Sequence, residues 1–190
     1  MTQDHRPESA FPTYAAIPAP GDDDLWEKWE AVENTLGIGL DPPLLALEAV
    51  AQMNLRINQE IKYQEEPPGA DVWQTPEETW AIKSGDCEDY AILKYALLRK
   101  AGLPETAMMI IVGEIASMPA NIPHAWLLAW VGDAWRVLDN KFDQLIDPAD
   151  YTNWIPRKGA SRDRVLLFSR VFTLNEVADK SHGVSRHSTS

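Results

Sequence analysis

Residues 80–95 read WAIKSGDCEDYAILKY, a stretch that passes from a glycine-containing turn into a helical pattern. Cys87, the single cysteine among the 190 residues, stands where this pattern begins. Apolar and aromatic residues follow it at helical spacing as far as Ala101, and the glycine and proline that come next end a helix. We therefore predict a helix over residues 86–101 with Cys87 at its N-terminus, where the partial positive charge of the helix lowers a thiol pKa.

The segments before this helix have the patterns of helices, and the segments after it have the patterns of strands. Upstream, capping residues and apolar stripes predict three helices, over residues 24–37, 41–61 and 75–85. Downstream, segments rich in β-forming residues predict four strands, over residues 108–115, 124–131, 134–139 and 164–172. Helices first and an antiparallel sheet second predict an α+β fold.

Length and composition limit the class of protein. The chain is long enough for one domain with a hydrophobic core, which we predict over residues 23–172, between a flexible arm at 1–22 and a disordered tail at 173–190. The net charge of −12 disfavours a nucleic-acid partner, because phosphate binding needs clustered Lys and Arg. The single cysteine excludes an intrachain disulfide and a multi-cysteine zinc site, and no apolar stretch is long enough to predict membrane insertion.

His124 is the one histidine placed to activate the thiol, since the others lie in the predicted arm and tail. It opens the predicted strand 124–131, and residues 132–133, Gly-Asp, suit a two-residue hairpin loop. With that loop, Asp139 lies opposite Trp126 and on the same sheet face as His124, one diagonal step away. A three-residue loop would place Asp139 on the other face, so this prediction depends on the turn.

A cysteine at a helix start, with a histidine and an aspartate on two adjacent strands, suits catalysis by a thiolate. Cys87 would attack a carbonyl carbon, His124 would take the proton and pass it on, and Asp139 would orient the imidazole. Structural roles are the alternative, because a lone cysteine is often a packing residue, a histidine at a strand start is often structural, and Asp139-Asn140 also suits a turn. The combination of the three favours catalysis.

The segment around the cysteine also resembles a known family. Residues 80–95 are similar to the nucleophile motif of the bacterial transglutaminase-like cysteine proteinases, whose best-known members are the LapG-type periplasmic adhesin proteases. The resemblance continues through three further segments, residues 101–104, 124–128 and 137–140, and extends over about residues 45–172. It implies a papain-like fold, a Cys87–His124–Asp139 triad, and therefore a cysteine endopeptidase that acts through an acyl-enzyme.

The resemblance further implies calcium. Adhesin-cleaving members are calcium-dependent, with acidic ligands beside the nucleophile, which in this chain are Asp86, Glu88 and Asp89. Three close carboxylates are hard oxygen ligands that suit calcium, whereas acidic residues in a first helical turn also stabilise the helix without any metal. Uncompensated carboxylates raise the pKa of a neighbouring thiol, and because a bound cation would relieve this, the calcium interpretation is favoured.

Partners and location follow from the same resemblance. It implies a protein substrate, in particular a large surface adhesin, an inner-membrane receptor as a further partner, and a periplasmic location. The N-terminal residues show no signal-peptide core, so a cytoplasmic location is the alternative. Two other functions also suit the residues: a transglutaminase or amidase with the same triad, and a non-catalytic binding module on the same fold.

Overall fold

The computed structural model describes residues 10–11, 14–18, 47–161 and 164–170. The helix predicted over residues 24–37 and the tail predicted over 173–190 lie outside this part of the chain. Within it, three α-helices precede most of the strands: α1, Leu47–Glu60; α2, Pro76–Ile82; and α3, Cys87–Lys100. Each of them corresponds to a predicted helix.

The start of α2 illustrates why the helix boundaries were predictable. The Glu78 N–H donates to the hydroxyl of Thr75, and the Thr75 N–H donates to the carboxylate of Glu78. This reciprocal cap satisfies two donors that a helix start otherwise leaves without partners, and a proline occupies the first turn, where its missing N–H costs nothing. No helix in the described ranges is long and apolar enough to span a bilayer.

The strands of the described chain form one large antiparallel sheet and one short parallel pair. Their bounds are β1, Tyr14–Pro18; β2, Lys62–Tyr63; β3, Ser84–Gly85; β4, Met108–Ile115; β5, Ile122–Val131; β6, Ala134–Leu138; β7, Trp154–Ser161; and β8, Arg164–Arg170. The sheet has the order β1-β8-β7-β4-β5-β6, and β2 pairs with β3. Helices that precede and pack on an antiparallel sheet confirm the predicted α+β class.

Two strands of the sheet were not predicted. Residues 14–18 were assigned to a flexible arm, and that assignment is wrong for them, because they pair antiparallel with β8 at the edge of the sheet. Such pairing depends on a strand more than a hundred residues away and leaves no local pattern. β7 contains Pro156 and Gly159, residues that weaken a strand pattern, and the β4–β7 register shifts beside Pro156.

The β5–β6 hairpin has the two-residue loop that the sequence predicts. Residues 132–133 both adopt positive φ, 61° and 69°, the conformation of the hairpin turn whose twist matches that of the flanking strands. Pairing then runs without a break to Leu127 opposite Leu138. The predicted register is confirmed, and it places Asp139 on the same sheet face as His124.

Helix α3 lies at the centre of the core. Every residue over 88–98 is buried, so neighbouring elements pack against all sides of this helix and not only against one apolar face. Its apolar side chains pack with Leu127 and its neighbours on one face of the sheet, while Trp126 belongs to a second apolar cluster on the other face. This packing holds Cys87, the first residue of α3, against β5.

Candidate active site

The turn before α3 fixes the position of Cys87. Asp89 folds back over this turn, with Oδ2 accepting the Asp86 N–H at 3.2 Å and Oδ1 accepting the Gln74 N–H at 2.9 Å. Gly85 is required beneath it, because a Cβ at that position would lie 2.7 Å from the Cβ of Asp89. The carboxylate of Asp89 therefore holds the backbone that presents the thiol.

Cys87 and His124 line the same cleft, which has a volume of about 570 Å³. One wall is formed by Tyr63 at the end of β2 and by the loop that continues to Trp73, and the other by residues 122–125 at the start of β5. Five carboxylates border the cleft: Glu65, Glu66, Asp71, Asp86 and Glu88. The fold thus brings the predicted nucleophile and the predicted base to one concave surface.

His124 and Asp139 form a buried pair. Nε2 of His124 lies 2.8 Å from Oδ2 of Asp139, and the two side chains are 3% and 0% exposed. The carboxylate also accepts hydrogen bonds from the Tyr151 hydroxyl and, at 2.9 Å, from the Lys141 N–H. Burial raises the pKa of Asp139, but the hydrogen bond and charge of His124, with the other two hydrogen bonds, outweigh it and hold this pKa below its usual value.

Two aromatic side chains that the sequence analysis missed fix the orientation of this pair. The ring of Trp154 lies against the imidazole of His124, with centroids 4.5 Å apart. Tyr151 stacks on Trp154 at 4.3 Å and 5°, while its hydroxyl donates to Asp139. Trp154 of β7 and the preceding Tyr151 therefore hold the imidazole of His124 and the carboxylate of Asp139 in place. No local pattern signals this, because it depends on the unpredicted pairing of β7 with β4.

The surroundings of Cys87 favour its protonated thiol. Burial raises the pKa of Cys87, and the charge and hydrogen bond of Glu88, whose Oε2 accepts from Sγ at 3.2 Å, raise it further. The Ala125 N–H acts in the opposite direction, because it favours the thiolate. The pKa of Cys87 is therefore raised overall, because burial and the neighbouring carboxylates outweigh the lowering predicted from its place at the helix N-terminus.

A protein-family model bears on this arrangement. The model of the bacterial transglutaminase-like cysteine proteinases matches residues 42–165, more than half of the chain, and the match includes Cys87, His124 and Asp139. The chain belongs to this family. It is therefore a cysteine protease, and the resemblance found in residues 80–95 is confirmed.

Solved structures agree with the fold of the proteinase. Legionella pneumophila LapG is 22% identical, with a TM-score of 0.55 over 73% of this chain and 75% of that chain. Its calcium-bound form is 20% identical with a TM-score of 0.55 over 82% and 86%, and its EGTA-treated form is 20% identical with a TM-score of 0.54 over 80% and 83%. The comparison with curated proteins gives no match. At these identities the likeness establishes a shared fold.

The predicted calcium ligands of the proteinase divide into a pair and a separate residue. The carboxyl groups of Asp86 and Glu88 interact, and burial together with Asp86 raises the pKa of Glu88 to about 8. Oδ1 of Asp86 is buried without a hydrogen-bond partner. Both oxygens of Asp89 bind backbone N–H groups instead, and the described residues contain no group of three acidic, histidine or cysteine side chains arranged to hold a metal. Asp86, with its unpartnered oxygen, and Glu88 are thus the predicted ligands left to bind a cation, whereas Asp89 supports the turn.

Glu88 and Asp89 make the stability of the proteinase depend on pH. Their pKa values in the folded protein, about 8 and about 7, lie above the ordinary 4.5 and 3.8, so the folded state binds more protons than the unfolded state between these values. The stability that they contribute is complete below about pH 4 and is lost as the pH rises through about 7 to 8. We expect calorimetric Tm values in EGTA to decrease from about pH 5 to about pH 8.

The variant Glu88→Gln should reduce this slope, because a neutral amide does not titrate. Glu48→Gln, an exposed first-turn residue of α1, is the matched control and should leave the slope unchanged. A Tm that stays constant or increases over the same pH range would contradict the raised pKa values.

Proposed function

We propose that the proteinase is an endopeptidase that cleaves a protein substrate with Cys87 as nucleophile, His124 as general base and acid, and Asp139 as the orienting residue. The hydrogen bond between His124 Nε2 and Asp139 Oδ2, beside the cleft that Cys87 also lines, carries this proposal. With Nε2 bound to the carboxylate, Nδ1 is the ring nitrogen left to exchange a proton with the thiol.

The steps follow from these roles. His124 takes the thiol proton, and the thiolate of Cys87 attacks the peptide carbonyl carbon while the C=O electron pair moves to oxygen. The proton passes to the leaving amine as the C–N bond breaks, which leaves a thioester on Cys87. Water deprotonated by His124 then attacks the thioester, and release of the carboxylic acid product restores the thiol. Backbone N–H groups in the first turn of α3 are suited to stabilise the oxyanion.

Calcium is proposed to assist, held by Asp86 and Glu88. Support comes from the interaction of these two carboxyl groups, which raises the pKa of Glu88, from the unpartnered Oδ1 of Asp86, and from the calcium-bound form of a structural relative. When bound, calcium supplies positive charge beside the thiol. Glu88 would then no longer raise the pKa of Cys87, so the thiolate would form more readily.

The substrate, partner and location are proposed from the family resemblance. The substrate would be a large surface adhesin, an inner-membrane receptor would bind the proteinase, and both would require a periplasmic location. An open cleft of about 570 Å³ bordered by loops suits an extended segment of a protein substrate. Cell fractionation tests the location, since a proteinase found in the cytoplasmic fraction alone would contradict it.

The alkylation of Cys87 by iodoacetamide tests the active-site assignment. In EGTA we expect slow alkylation near neutral pH, because burial and Glu88 favour the thiol. With calcium we expect the pH profile to move to lower pH, by roughly one unit or more, which raises the rate near neutral pH about tenfold. His124→Ala should remove most of this acceleration.

The outcomes separate the rival functions. A profile that neither calcium nor His124→Ala changes would indicate an inert thiol, and the binding-module alternative would then replace the proposal. If the thiol is activated, incubating a peptide library with an added primary amine distinguishes hydrolysis from acyl transfer. New amide products formed with the amine, without cleavage in water, would contradict the endopeptidase assignment and favour the transglutaminase.

A further inference from the structure

Lys94 is a buried cation that the proposed chemistry does not use. It lies in α3 two turns after Cys87, and its side chain is 0% exposed. Burial lowers the pKa of Lys94 to about 7, although the charges of Asp139 and Asp143 favour the ammonium form. A buried ammonium is costly because it loses its hydration, and a residue that costs stability is commonly retained for function.

Lys94 sets the orientation of an amide in α1. Its Nζ donates to Oδ1 of Asn58 at 2.7 Å. Because an ammonium group only donates, this contact directs the amide oxygen of Asn58 to Lys94 and its nitrogen to the opposite side. That nitrogen donates to the backbone carbonyls of Asp139 and Phe142, each at 2.9 Å.

The loop that receives these hydrogen bonds carries the proposed orienting acid. Asn54, one turn before Asn58 in α1, adds hydrogen bonds to the carbonyls of Phe142 at 3.0 Å and Asp143 at 2.9 Å. The loop 139–143 follows the end of β6, so these carbonyls are held by side chains of a helix rather than by a neighbouring strand. The position of Asp139 therefore depends on the α1 amides, and the orientation of Asn58 depends on Lys94.

We propose that Lys94 is a positioning residue for the reaction, which through Asn58 holds the 139–143 loop so that Asp139 meets His124. This inference rests on the proposed function, because it concerns the same triad. The ammonium faces the charges of Asp139 and Asp143 and the ring of Tyr90, whose centroid lies 5.7 Å from Nζ. Its charge thus also favours the ionised form of Asp139.

A double-mutant cycle tests this role. Lys94→Met, Asn58→Ala and the double variant are compared by the rate of iodoacetamide alkylation of Cys87 in calcium near neutral pH, by Tm, and by hydrogen exchange over residues 139–143. We expect each single variant to lower the alkylation rate about tenfold and to speed exchange in the loop, because a displaced catalytic group loses much of its effect. The double variant should be no slower than Lys94→Met, since both act through one connection. Lys100→Met, at the exposed end of α3, is the matched control and should alkylate as the wild type does.

The Tm separates positioning from simple stabilisation. Lys94→Met should change the Tm little, because removing a desolvated charge offsets the loss of the hydrogen bond to Asn58. Folded variants with wild-type alkylation and exchange would overturn the proposal, and so would single effects that multiply in the double variant. If Lys94→Met shows no cooperative melt, Asn58→Ala decides alone, as its half-buried site admits water. Failure of the triad itself is recognised separately, because His124→Ala would then leave wild-type alkylation unchanged.

Discussion

Cys87→Ala should abolish proteolysis and leave the fold intact. No other described side chain provides a thiol, and without the nucleophile no thioester forms, so we expect turnover to fall by a factor of roughly 10⁵ or more. The measurement is mass spectrometry of a peptide library incubated with calcium and either wild type or variant. The variant should yield no cleaved peptides above the level without enzyme.

Stability measurements serve as the control for this variant. The thiol is a single atom at the start of a helix, and the turn before that helix is held by the hydrogen bond from the Asp86 N–H to Asp89, so we expect a Tm close to that of the wild type. Cleavage that persists in folded Cys87→Ala would exclude covalent catalysis by Cys87. It would also require a different nucleophile, and the proposed function would fail.

Asp139→Asn should lower turnover by a factor of about 10² to 10⁴. The carboxylate accepts the His124 hydrogen bond and thereby fixes the tautomer in which Nδ1 receives the thiol proton. An asparagine that presents its NH₂ group to Nε2 selects the opposite tautomer, with the proton already on Nδ1. The Tm should also fall, because Asp139 accepts two further hydrogen bonds, from Tyr151 and from the Lys141 N–H, at a buried site.

Asp133→Asn is the matched control for this charge change. Asp133 is exposed, lies at the other end of β6, and has φ of 69°, a conformation that asparagine tolerates well. We expect its turnover to remain within about twofold of wild type, as for a surface substitution. Equal activities for the two variants in the same assay would show that Asp139 does not orient His124.

Prediction from the sequence worked where local chemistry decides the structure. The helix of Cys87 has apolar residues at helical spacing and a terminating glycine, and the hairpin turn requires two positive φ values that Gly-Asp can adopt. The hairpin alone was sufficient to predict that Asp139 approaches His124, because side chains alternate strictly along a strand.

The features that the sequence did not predict depend on pairing between distant strands or on opposing contributions to a pKa. Tyr151 and Trp154 reach His124 only because β7 pairs with β4, and no pattern in their own segment indicates this. The pKa of Cys87 was predicted from the helix terminus, but burial and Glu88 act more strongly, and burial is known only once the fold is known. The proposed role of Lys94 likewise depends on contacts among three segments, which are α3, α1 and the loop 139–143.

Helix α3 is buried on all sides, so its sequence has less freedom to change than the sequence of the exposed cleft wall. Helix α3 has no exposed face over residues 88–98, so Cys87 at its start is held in place. The cleft wall that includes Tyr63 and Trp73, by contrast, consists mostly of loop. We therefore expect an exchange of that wall between relatives to change cleavage preference and to leave the triad in place. Under the proposed function we expect substrate choice and catalytic chemistry to depend on different parts of the chain, so that the first can change without loss of the second.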